Sequence, residues 1–232
     1  MLFDDSANIY AHSGLFDRGT LGDAYRQAIL KCIELISLEA CDAASFTTVP
    51  SRTVIDLGVR AINSLSASAL LMHAGYWVAA GHQMRDLIEV SQLIELIEND
   101  PSCAEDWVGC TGKERYRRYS FGKVKAKLDA LRPERAGSRE MFDFWSNIGS
   151  HPSVEGLALQ QYRTGGPVIG PTTNFDHMRL LYADLFRLLI IVTYAFISAV
   201  ESLRPEKVSS RHSWWSRQLR GRGVCLSTNQ NS

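Results

Sequence analysis

The sequence predicts an all-α protein: a helical bundle of about five to six helices with a small β-hairpin inserted before the last long helix. Two observations carry this. Apolar residues recur at three- and four-residue spacing through nearly the whole chain, and Pro, Gly and capping residues divide it into helix-sized pieces. The 232 residues are 45% hydrophobic and 22% charged, an ordinary globular composition that excludes a disordered, collagen-like or disulfide-scaffold chain.

Taken in order, the first helix is expected from about Thr20, with Asp23 completing an approximate capping box, to about Ala44. Ser45 to Pro50 reads as a linker, so residues 1–50 form an N-terminal helix and linker. A bundle domain then spans 51–203. Its first helix is expected from about Thr53, with Val54, Leu57, Ala61, Leu65, Ala69 and Met72 on one stripe. A break at His73-Ala74-Gly75 is expected, because an uninterrupted helix to Asn99 would be far longer than a compact domain uses. The next helix runs from about Tyr76 to Glu98. Asp100-Pro101 begins a further helical region, broken near Gly109 to Gly112 and resumed to Leu131.

Ser138 caps a short helix, 139–150, which His151-Pro152 ends. Leu157 to Arg163 and Val168-Ile169 flank Thr164-Gly165-Gly166-Pro167, the pattern of the expected hairpin at about 157–170. The last helix is expected from Asn174 to Leu203. Its apolar heart, Leu188 to Val200, makes only about 20 Å of helix against a hydrocarbon core of roughly 30 Å, so it reads as a core helix. Residues 204–232 read as a disordered basic tail. Its Trp214-Trp215 pair among arginines also suits a membrane-surface anchor, a weaker reading than the others. The first residues, MLFDDSANIYAHSG, lack an apolar core, and five cysteines without a CxxC suit reduced thiols. A cytoplasmic protein with no metal and no cofactor is expected.

The balance of 25 Lys/Arg against 25 Asp/Glu hides an asymmetry. From Arg204 onward six cations face one acid, a net of +5, which leaves −5 for the rest. Between Lys113 and Arg139 ten cations face three acids. Such clustering suits an anionic partner, and Arg115, Arg117, Arg118, Lys123, Lys125 and Lys127 are the expected nucleic-acid contacts. The motifs of P-loop, dinucleotide-binding, zincin and α/β-hydrolase proteins are missing.

Two constellations remain. Arg85 and Glu89 stand one helical turn apart and can form an ion pair. Asn147 and His151 stand one turn apart at a helix C-terminus, where the macrodipole favours a protonated imidazole and acid–base chemistry at neutral pH is accessible.

Leu70-Leu71-Met72-His73-Ala74-Gly75-Tyr76, then Ala79-Ala80, Arg85 and Glu89, followed by Ser146-Asn147-x-x-x-His151, resemble the HEPN-like superfamily of helical bundles over roughly 53–203. The resemblance is closest to a bacterial branch with a Ser-x-x-x-His-Pro segment. It implies a homodimer and an RNA-directed role as a metal-independent endoribonuclease of the toxin or phage-defence type. His151 would then be the acid–base group, with Asn147, Arg85 and Glu89 in support. The sequence departs from the family pattern at Ser146, where the motif carries Arg. Loss of a cation that offsets phosphorane charge makes the alternative a catalytically degenerate binding module for nucleic acid, nucleotide or a partner protein.

Overall fold

A computed structural model describes residues 20–41, 46–132, 139–149, 152–161 and 175–204. It is a helical bundle with nine helices among those residues. They are α1 (Thr20–Cys41), α2 (Val49–His73), α3 (Trp77–Asn99), α4 (Ser102–Gly109), α5 (Gly112–Tyr119), α6 (Phe121–Leu131), α7 (Arg139–Gly149), α8 (Val154–Leu159) and α9 (Phe175–Leu203).

The centre of the bundle is α3. Met84, Leu87, Ile94, Leu96 and Ile97 are almost wholly buried, and α2, α9, α7 and α6 pack around it. The helix is apolar on more than one side because it has neighbours on several sides. The N-terminal helix α1 packs on α2 and α9 and belongs to the same bundle. Glu39 on α1 pairs with Arg204, whose guanidinium also lies over the Phe46 ring at 5.3 Å. By length and composition Val49–Met72 and Leu181–Leu203 could each cross a membrane. In the bundle 44% and 50% of their apolar windows are buried.

Local chemistry sets the boundaries. Helix α2 starts at Val49 rather than near Thr53. The Thr48 hydroxyl accepts from the Ser51 amide at 3.3 Å, and Pro50 sits in the first turn, where its missing N–H costs nothing. The break before α3 falls where expected: Gly75 has φ 80°, a left-handed conformation that glycine alone adopts freely. The region after Asp100 is three helices rather than two pieces, because Ser120, with ψ 156°, turns the chain between α5 and α6.

The expected β-hairpin is overturned. No β-strand forms among the described residues, and Leu157 to Leu159, taken as the start of its first arm, are the end of α8. The reason is a cap. The Ser153 hydroxyl accepts from the Gly156 amide at 3.0 Å and donates to the Asn147 carbonyl at 2.5 Å. One side chain therefore starts α8 and ties it to α7. The rest of the proposed hairpin, 162–170, and the tail, 205–232, lie outside the described residues.

Helix α7 crosses α3 at two glycines. A Cβ on Gly149 would stand 2.5 Å from the His82 amide nitrogen, and one on Gly81 would stand 3.0 Å from Ile148. Backbone meets backbone there, which requires the missing side chains. Further along the same crossing Phe142 on α7 meets Arg85 on α3. The two helices are thus antiparallel, and Phe142 and Ser146 are held against one side of α3.

Candidate functional site

That side of α3 is the floor of a groove of about 630 Å³. Its far wall is the basic stretch. Helix α5 (GKERYRRY) buries none of its residues fully, and only Tyr119 packs against the core, so apolar packing holds it weakly. A capping box does part of the work: the Thr111 hydroxyl and the Glu114 carboxylate satisfy each other's backbone amides, and the Thr111 bond holds the Glu114 carboxyl below its usual range. Arg115 does more. It donates from Nε to the Trp107 carbonyl at 3.0 Å and from Nη2 to the Cys110 carbonyl at 2.9 Å, closing the C-terminus of α4, and it lies over the Trp107 ring at 4.8 Å. Arg118 pairs with Asp106 at 2.6 Å. The Tyr119 hydroxyl donates to the same carboxylate at 2.5 Å. Burial, with that hydrogen bond, pushes the Tyr119 phenol well above its ordinary range, so it remains a donor.

The six expected nucleic-acid contacts therefore divide. Arg115 and Arg118 lock α5 to α4. Lys125 pairs with Asp129 at 2.8 Å on α6, and Lys127 stands over the Tyr119 ring at 4.1 Å. Arg117 and Lys123, together with Lys113, are exposed and make no ion pair among the described residues.

The expected catalytic residues also divide. Arg85 and Glu89 form the predicted pair at 2.9 Å, and Arg85 lies 5.1 Å from the Phe142 ring centre. Both line the groove, as do Arg115 and Ser146. Asn147, next in the chain to Ser146, is exposed and does not line it. His151 lies outside the described residues.

The aromatic lining is what sequence reasoning missed. Trp107, Tyr116, Tyr119, Phe121 and Phe142 all face this groove. Phe121 and Phe142 are stacked with centroids 3.4 Å apart and planes within 3°, while Tyr116 is 77% exposed at the rim. The available signal was the interleaving of tyrosine with arginine in α5.

The groove's ionised side chains are Arg60, Arg85 and Arg115 against Asp86 and Glu89, a net positive charge. Asp86 is occupied: it takes both oxygens to Arg60 Nε at 3.1 Å and accepts from Ser64 at 2.6 Å. The Asp86 bond holds the Arg60 guanidinium above its ordinary value. A shallower hollow of about 590 Å³ on the other side of this pair is lined by residues such as His82 and Asn63. Among the described residues no three His, Cys, Asp or Glu come together as a metal site. Chemically the groove offers fixed cations laid over aromatic rings, while Lys113, Arg117 and Lys123 are exposed on the same two helices, α5 and α6, without lining it. No family model, no curated protein and no solved structure matches the chain.

Proposed function

We propose that this chain is a HEPN-like RNA-binding module that holds single-stranded RNA in the groove between α3, α5, α6 and α7. The observation that carries the reading is the arrangement of Arg85 over Phe142 and Arg115 over Trp107 within one groove. Single-stranded nucleic acid is held by cations that follow the phosphates and by aromatic faces on which bases stack. Here Arg85 and Arg115 supply the first inside the groove, the exposed Lys113, Arg117 and Lys123 extend it on the outer faces of α5 and α6, and the open Tyr116 ring supplies the second. RNA, rather than DNA, follows from the resemblance carried by the Leu70–Tyr76 segment and the Ser146–His151 segment.

Binding is favoured over cleavage by two features. Ser146 stands where the resembled motif has its cation, and Asn147 is exposed and does not line the groove that Arg85 lines.

The test is a fluorescence-anisotropy titration of a labelled single-stranded RNA in EDTA across a salt series, with the RNA then run on a gel. The expected result is binding whose log K falls with log salt by about 0.7 per neutralised phosphate, and intact RNA. Fragmentation that disappears in His151→Ala would replace this reading with a ribonuclease. Salt-insensitive binding would remove the basic face as the contact surface.

A further inference from the structure

We infer that the floor of the groove is a phosphate site that recognises the terminal phosphate of a single-stranded RNA; this rests on the reading of the groove as an RNA-binding surface. Four groups of donors converge around one ring, Phe142. The first is Arg85, whose guanidinium lies 5.1 Å from that ring. The second and third are backbone amides. Phe121 opens α6 and is stacked on Phe142, which brings the first turn of α6 to the same place. The N-cap of α6, Ser120, makes no side-chain cap bond. The first backbone bonds of α6 run from Lys123 and Val124 to the Ser120 carbonyl. The amides of Phe121 and Gly122 have no acceptor among the described residues, and no atom lies within 4 Å of where a Gly122 Cβ would stand. Free amides at the positive end of a helix attract anions.

The fourth is Ser146, which points independently to a ligand. It lies on α7 one turn beyond Phe142, lines the groove and is only 9% exposed. Its hydroxyl has no hydrogen-bond partner among the described residues. That hydroxyl opens onto the groove, where it can donate to an oxygen-rich ligand. Glu89, the nearby acid, is already paired with Arg85, and the wider groove, with Arg60 and Arg115 against Asp86, keeps a net positive charge.

Two features select a terminal phosphate over a phosphodiester. The donors outnumber the two free oxygens of a diester, and a phosphate monoester offers three. Ser146 also sits at the floor rather than the rim, where the end of a strand reaches more readily than a strand passing across.

The experiment compares one RNA sequence carrying a 5′-phosphate, a 3′-phosphate or hydroxyls at both ends, with inorganic phosphate as a separate ligand. One phosphorylated form is expected to bind about tenfold more tightly than the hydroxyl form, and the preferred end identifies which terminus enters. Ser146→Ala should remove most of that advantage, so that phosphorylated and hydroxyl-ended RNAs bind it nearly alike. Equal binding of all three RNAs by the wild-type protein would overturn the terminal-phosphate site and leave the RNA reading standing. Binding of inorganic phosphate, weakened by Ser146→Ala, without binding of any RNA would do the reverse. An advantage that Ser146→Ala leaves intact would place the phosphate elsewhere and overturn this site.

Discussion

Trp145→Ala is expected to cost about 3–5 kcal/mol of stability, a large part of what holds a domain of this size together. Trp145 is fully buried on α7 and meets Phe144 edge to face at 5.1 Å. Removing the indole leaves a cavity beside the helix that carries Phe142 and Ser146 into the groove. Trp145→Phe should cost much less, for a specific reason. The indole Nε1 is buried without a hydrogen-bond partner, so phenylalanine gives up volume but also removes an unsatisfied donor worth about 1–3 kcal/mol. Urea denaturation followed by circular dichroism would measure both. Equal losses in the two variants would contradict this account of the site.

Charge reversal at Lys113, Arg117 and Lys123 together is expected to weaken RNA binding roughly a thousandfold, at about tenfold or more per charge-assisted phosphate contact. The salt slope should fall by about 0.7 per cation. Folding should survive, because these three side chains are exposed and make no ion pair among the described residues. Arg118→Glu should behave differently. It places a second negative charge beside Asp106 and breaks the lock between α4 and α5, so it should lower thermal stability as well as RNA affinity. A triple variant with unchanged affinity and unchanged salt slope would show that the basic face does not touch RNA.

Helix periodicity was legible because apolar residues on α2, α3 and α9 must face the core every three or four positions. Gly75 was legible because a left-handed turn needs glycine. The start of α8 was not. Leu157 to Arg163 precedes a Thr-Gly-Gly-Pro turn signal, but Ser153 caps the Gly156 amide and bonds across to Asn147, and that tertiary bond decides the local structure. The Arg85–Glu89 pair could be read from one helical turn. The structural use of Arg115 could not, since its partners are backbone carbonyls at the end of another helix. The aromatic lining was hidden for a similar reason: Trp107, Tyr116, Phe121 and Phe142 come from four separate helices, and only packing against α3 brings them together.

Amide hydrogen exchange with and without single-stranded RNA, at low salt, tests the central claim most directly. RNA is predicted to slow exchange in 112–124 and in 142–146, and to leave α9, whose exposed face carries Ile191 and Tyr194, unchanged. Bound RNA that protects neither 112–124 nor 142–146, for example only the basic stretch 204–232, would contradict the assignment of this groove as the RNA-binding site.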